Sequence, residues 1–328
     1  MDTDSFQPTT ADRLRRHVEI LCSPGDRSLH LNEASMAEAQ NYCSAQLVAA
    51  GWNVKRQDLH FTKKLGIRDD VGSWHPWPVR IYPELRGTNL VATRPGVEGP
   101  FLVLCGHLDS VKNTPGADDN ASSVAVLLEV ASALVHSELP IMIALLDMEE
   151  VGHFGGKALA RRMSAESSAA MVINMDMVGF FSAEPRSQKL PLGRITSPSA
   201  ARDLRARDYT GDFLFSLRRQ AAAGLSADLV HYARGAGLDV IEIHDPRPQR
   251  GLRPLINALW PPFAHYDRSD HADFEAAGIP SVFVSDGAMT RSPHYHRSSD
   301  RPDTLDYSKM AYLVDALAAT AHNFNWPS

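Results

Sequence analysis

The stretch Phe101-Leu102-Val103-Leu104-Cys105-Gly106-His107-Leu108-Asp109-Ser110 joins an unbroken apolar run to a histidine and an aspartate. A strand with one solvated face alternates apolar and polar residues, so an uninterrupted run describes a strand covered on both faces. The same form returns at Ile141 to Leu146, Met171 to Met175 and Ser281 to Val284. An apolar-rich helical stretch, Ala121 to Val135, separates the first two runs, and a shorter one, Lys157 to Met163, separates the next two. This alternation predicts an α/β fold, a largely parallel, mixed central sheet with helices on both faces.

Outward from these runs, Leu14, Val18 and Leu21 recur at helical spacing, as do Met36, Ala39, Cys43 and Leu47. They predict two N-terminal helices, the second stopped at Gly51. Short β-like runs follow near 53–61 and 88–93. The segment 181–262 interrupts the rhythm with polar and Pro-containing loops, a predicted helix around 213–234 and a strand at Val240 to Ile243. Its tail, Asp245 to Tyr266, is rich in Pro and Arg, as a long surface loop would be. With no internal repeat, low-complexity tract or linker, residues 1–328 read as one domain with 181–262 as an elaboration.

The formal charge of −6 and pI near 6.1 come from intermixed acidic and basic residues. That balance disfavours a nucleic-acid or anionic-membrane partner. Met1 to Thr10 is polar, Arg13, Arg15 and Arg16 follow, and no apolar run approaches the roughly 18 residues of a membrane span. The expectation is a soluble, cytoplasmic protein. Cys22, Cys43 and Cys105 are odd in number, scattered and set among apolar neighbours, so they are expected to be buried free thiols.

Ligands of parallel sheets bind outside the carboxyl ends of the strands. There the sequence places His107 and Asp109, then Asp147, Glu149 and Glu150, then Asp176. Gly116-Ala117-Asp118-Asp119-Asn120 precedes a helix, and Pro293-His294-Tyr295-His296 lies beyond the last strand. Singly, each has a bland meaning: a structural His–Asp contact, a turn with a helix cap, a solvated acidic pair, a loop residue. Together, at successive strand ends, so many carboxylates would repel one another unless cations neutralise them. Imidazole mixed with carboxylate and no thiolate suits zinc or a neighbouring divalent transition metal better than calcium or magnesium.

At these residues the sequence resembles the dinuclear zinc exopeptidases that include bacterial leucyl aminopeptidases and, as divergent relatives, glutaminyl cyclases. The likeness rests on GHLDS at 106–110, GADDNAS at 116–122, MEEVGHFGG at 148–156, NMDMVG at 174–179, SDHADFEAAGIP at 269–280 and YHRSSDRPDT at 295–304. It implies two zinc ions: one held by His107 and Asp176, one by Glu150 and His296, with Asp119 bridging them. It implies Asp109 as the carboxylate that orients the site and Glu149 as the catalytic base, and it makes Asp119–Asn120 a candidate cis peptide. His294 and His296 share a loop, and the family pattern of a His upstream of Asp-Thr with an Asp between favours His296. His271 reads as structural, while His153 and His265 receive no role.

The implied activity is removal of N-terminal residues from a peptide substrate. Glutaminyl cyclisation and carboxypeptidase action are the alternatives within the wider family, and a metal-free binding module is the alternative outside catalysis. GHFGG at 152–156 departs from the family, which more usually has an apolar residue in place of His153 and a terminal Ser in place of Gly156. That departure and the 181–262 segment leave side-chain preference open.

Overall fold

The computed structural model describes residues 8–28, 32–69, 79–190, 197–248, 256–257, 259 and 261–326. Eight strands form one sheet: β1 Asn53–Ile67, β2 Val79–Thr93, β3 Phe101–His107, β4 Ile141–Leu146, β5 Ala169–Met175, β6 Leu214–Arg218, β7 Val240–His244 and β8 Ser281–Ser285. Their spatial order is β1-β2-β4-β3-β5-β8-β6-β7. The four central strands, β4, β3, β5 and β8, run parallel to one another. Antiparallel pairings join β2 to β4 and β6 to β8, so the sheet is mixed at its flanks.

The unbroken apolar runs follow from two-sided burial, because successive side chains along a strand point to opposite faces. Leu102, Leu104, Ile141, Ile143, Leu145 and Ile173 pack on one face with helices Thr10–Cys22, Glu33–Ala49, Ser123–Ala133 and Tyr307–His322. Val103, Cys105, Met142, Ala144, Leu146 and Val172 pack on the other, against Leu159, Ala160 and Met163 of helix Phe154–Glu166 and Phe274 of helix His271–Ala277. Gly51 follows the helix Glu33–Ala49 with φ of +77°, as the expected stop.

Three expectations need correction. The helix expected over 213–234 is two elements: Leu214–Arg218 is strand β6, and only Ala223–Gly235 is α-helix. Phe213, Phe215 and Leu217 pack with Ile241 and Ile243 of β7 on one face, a period-two pattern that a continuous apolar count does not separate from a helix. The tail expected as a surface loop is buried where Asp245 and Arg247 enter an ion-pair network, and Pro261–Asp267 forms a short helical turn; 249–255, 258 and 260 lie outside the described residues. The third concerns the thiols: all three are free, but Cys22 is only half-buried, unlike Cys43 and Cys105.

Both β6 and β7 come from the 181–262 segment, which thereby extends the one sheet. Among the described residues no helix is long and apolar enough to cross a membrane.

Candidate metal centre

His107 ends β3, Asp147 follows β4, and Asp176 follows β5, so three parallel strands deliver their chemistry to one edge. Backbone geometry there is unusual. Met148, His153, Met177 and His296 all have positive φ, between 54° and 62°. Non-glycine residues rarely occupy that region, and such strain gathers at functional sites.

Asp119 is delivered by a different device. The loop 116–120 turns at Gly116, φ +65°, where a Cβ would stand 2.4 Å from the Asp119 carbonyl oxygen and 2.8 Å from a guanidinium nitrogen of Arg27. Only glycine fits that turn. Arg27, fully buried, donates to the carbonyls of Leu21, Leu108, Pro115 and Gly116, fastening this loop to the one after β3. From the other side, Asp300 accepts hydrogen bonds from the backbone N–H of Asp118 (2.9 Å) and Asp119 (3.1 Å). The Asp119–Asn120 peptide is cis.

Two triads result, and they share one residue. The Nε2 of His107 lies 3.3 Å from Oδ1 of Asp119 and 3.4 Å from Oδ1 of Asp176. His296 Nε2 lies 3.2 Å from Oδ2 of Asp119 and 3.4 Å from Oε2 of Glu150. Asp119 thus turns one oxygen to each triad. His107 Nε2, Asp176 Oδ1 and Glu150 Oε1 are buried and have no hydrogen-bond partner. Unpaired buried polar atoms are costly, so a converging set of them calls for a ligand. Tetrahedral zinc at about 2.0–2.1 Å from its ligands separates neighbouring ligand atoms by about 3.3–3.4 Å. The His-to-carboxylate spacings of 3.2–3.4 Å lie near that edge length, and the donor set fits the ion.

Asp109 sits behind the triads. Its two carboxylate oxygens accept the backbone N–H groups of Glu149 (3.1 Å) and Glu150 (3.0 Å), which fixes both glutamates at once. Its carbonyl oxygen, not its carboxylate, is the nearer partner of His107 Nδ1, at 3.0 Å against 3.6 Å. The expected orientation of the imidazole from behind is therefore performed mainly by the main chain, which selects the tautomer that leaves Nε2 free for a ligand.

The electrostatics register a demand for positive charge. Burial pushes Glu149 well above the ordinary carboxylate range, and repulsion from Asp176 and Glu150 adds to it against the pull of His107. Burial and Asp119 push Glu150 up to about 8. Burial works against the protonated form of His296, but Glu150 and Asp119 outweigh it and raise the imidazole to about 9. Protons occupy the role that a divalent cation would take.

The triads open on a cavity of about 440 Å³ whose lining includes Asp119, Glu149, Glu150, Asp176 and His296, with Leu190, Phe215, Leu217, Ile243, Phe283 and Met289 as an apolar wall. His294 stands apart: its Nδ1 meets Ser299 Oγ at 3.0 Å, and it does not line the cavity. His271 is buried, stacks on Phe283 and meets the Tyr266 carbonyl at 2.8 Å. Arg27, Asp300, His153 and Tyr295 were not assigned roles from sequence. Tyr295 stacks on His296, with ring centroids 3.9 Å apart, and burial together with Asp119 and Glu150 keeps its phenol protonated and able to donate. Only its neighbour in the YH pair marks it in the sequence.

Residues 89–235 match Peptidase family M28. Over this stretch the chain is similar to the M28 peptidases. The M28 match contains His107, Asp119, Glu149, Glu150 and Asp176, while His296 lies beyond it. YfbL of Escherichia coli (strain K12) is 29% identical over 253 residues, covering 72% of this chain and 70% of that protein. The probable lipoprotein aminopeptidase LpqL of Mycobacterium tuberculosis is 24% identical over 79% of this chain, which spans half of LpqL's length. Solved structures share this chain's fold: the zinc aminopeptidase BSAP from Bacillus subtilis has a TM-score of 0.65 at 14% identity, covering 96% of this chain and 95% of that one. Fimbriiglobus ruber glutaminyl cyclase has a TM-score of 0.62 at 18% identity, covering 97% and 96%.

Proposed function

We propose that this chain is a dinuclear zinc aminopeptidase that removes N-terminal residues from peptides, with His107 and Asp176 on one ion, Glu150 and His296 on the other, and Asp119 bridging. The observation that carries the reading is the shared carboxylate, one oxygen of Asp119 to each triad, at spacings suited to zinc ligands. The match of residues 89–235 to Peptidase family M28 and the aminopeptidases among the relatives support peptide hydrolysis. Bound there, two zinc ions supply Lewis acidity to the scissile carbonyl and to a water nucleophile.

The remaining work falls to the chain. Glu149, buried beside the cavity and pushed by that burial above the ordinary carboxylate range, takes the proton of the attacking water and returns it to the leaving amine. Tyr295 offers a phenolic O–H for the carbonyl oxygen. Asp109 holds Glu149 and Glu150 by their backbones, so the base and the ligand move together. The carboxylates around the cavity favour a cationic α-amine. The apolar wall takes a hydrophobic side chain, whose full burial is worth about 1.5–3 kcal/mol. Three free thiols support a reducing, cytoplasmic setting.

The test is a substrate panel on the zinc-loaded protein: leucyl p-nitroanilide, the same peptide with a free or an acetylated N-terminus, and a peptide beginning with glutamine. Free-amine substrates should be cleaved and acetylated ones spared. Cyclisation of the glutamine peptide without hydrolysis of the others would overturn the reading in favour of a cyclase, and cleavage of acetylated peptides from the other end would favour a carboxypeptidase. Glu149→Ala should keep its zinc and lose about 10²–10⁴ in turnover.

A further inference from the structure

His153 occupies the position where the resemblance has an apolar residue. Its ring lines the cavity beside the metal centre, with Nε2 3.3 Å from Oε1 of Glu149 and Nδ1 3.3 Å from Oδ2 of Asp273. The backbone is left-handed there, φ +58° and ψ +33°, held by its N–H donating to the Glu149 carbonyl and its carbonyl accepting from Lys157. This conformation starts helix Phe154–Glu166 and turns the ring back toward Glu149. An apolar residue at 153 would offer Glu149 nothing polar to meet.

The second departure from the family serves the same place. A Cβ on Gly156 would stand 2.2 Å from Oδ1 of Asp270, so only glycine lets that carboxylate approach the start of the helix. Asp270 is fully buried, neither of its oxygens has a hydrogen-bond partner, and its charge and that of His153 act on each other. Asp273 Oδ2 is likewise buried without a hydrogen bond, leaving the His153 ring at 3.3 Å as its polar neighbour. His153 thus has Asp273 behind a ring whose front edge faces Glu149, and Gly156 leaves room for Asp270 at the start of the same helix.

We infer that His153, anchored by Asp273, is a positioning residue that fixes where the Glu149 carboxylate points into the cavity. The inference rests on the proposed role of Glu149 as base, and it predicts a loss in the chemical step and not in substrate binding. A general base must lie within hydrogen-bond reach of its proton, and small misplacements are expensive. Supporting contacts of this kind are worth roughly ten- to a hundredfold.

Steady-state kinetics on leucyl p-nitroanilide with the full, zinc-loaded chain test it, beside zinc analysis and crystal structures of the variants. His153→Leu should lower kcat about ten- to a hundredfold, with KM and zinc content changed less than about threefold. His153→Gln, which keeps an N–H toward Glu149, should recover part of the loss, and Asp273→Asn should show a smaller loss of the same kind. Because His153 acts through Glu149, the double variant Glu149→Gln with His153→Leu should be no slower than Glu149→Gln alone. In crystals the Glu149 carboxylate should leave its place in His153→Leu and keep it in His153→Gln.

An unchanged kcat in His153→Leu, or an additional full loss in the double variant, would overturn the inference. If His153→Leu does not fold, normal kcat in both His153→Gln and Asp273→Leu overturns it instead, whereas a reduced kcat with normal KM in Asp273→Leu supports it. A wild-type protein inactive on every substrate of the panel defeats the proposed function alone; the carboxylate position in the crystals then decides the inference by itself.

Discussion

Two clusters of buried charge, one reaching the cavity through Asp267 and the other lining it with Asp119, Glu149, Glu150 and Asp176, solve the problem of burial differently. In one, Arg247 meets Asp245 at 2.8 Å and Asp267 at 2.7 Å, while Arg219 meets Asp245 and Glu275, each at 2.9 Å. Every carboxylate there has a guanidinium. In the other, Asp119, Glu149, Glu150 and Asp176 gather around two imidazoles, and atoms of three side chains lack hydrogen-bond partners. Carboxylates respond accordingly. Burial raises Asp245, but the hydrogen bond from Arg247 and the charge of Arg219 bring it below its ordinary range. Glu150, raised by its own burial and then by Asp119, goes the other way. The first cluster is neutralised by cations of the chain itself; the second is left with more carboxylate than its two imidazoles can balance.

The comparison breaks first at Asp119. Asp119→Asn should lose most bound zinc at both halves and with it at least about a thousandfold in turnover, whereas His296→Ala should keep a remnant near half occupancy by metal analysis. Zinc undiminished in Asp119→Asn would remove the bridge from the scheme. Arg247→Met should do the reverse, with zinc per folded molecule unchanged and stability to urea lower by up to about 3–5 kcal/mol near neutral pH, because Asp245 and Asp267 would be left to share the single guanidinium of Arg219. Asp245 has a depressed folded pKa, so its contribution is present above the ordinary carboxylate range and is lost as pH falls through the depressed value. The wild type and Arg247→Met should therefore converge in acid.

The smallest effect, reckoned per pH unit, belongs to the zinc-stripped protein. Glu150 and His296 have raised pKa values there, about 8 and about 9, so they contribute stability at low pH that is lost as pH rises through those values. Thermal melts after chelation should fall between about pH 5 and 9, by no more than about 1.4 kcal/mol per pH unit for each group, and zinc should flatten the slope. A flat profile in the stripped protein would mean that the carboxylates find another neutralising partner.

Much of this contrast was legible before the structure, but only one side of it. β3, β4, β5 and β8 could be read because two-sided burial leaves unbroken apolar runs, and His107, Glu149, Glu150 and Asp176 could be read because they punctuate those runs. β6 could not, because Leu214–Arg218 is followed at once by the apolar start of helix Ala223–Gly235, and a window of composition merges them. The Arg219–Arg247 network was invisible for a different reason: its members are surface residues by type, and pairing alone lets them go inside. Arg27 and His153 escaped likewise, since the carbonyls of one lie up to 89 positions away and the Asp273 partner of the other lies 120 positions along the chain.

The cavity's wall and its floor have different origins. Leu190, Phe215, Leu217 and Ile243, most of the wall, come from the segment between β5 and β8, while the triads stand at the ends of β3, β4 and β5 and in the loops carrying Asp119 and His296. Recognition and reaction are consequently written for the most part on separate stretches of chain. One could be exchanged for another of different shape and leave the bond-breaking apparatus as it is, which makes this architecture suited to acquiring new diets without relearning how to cut.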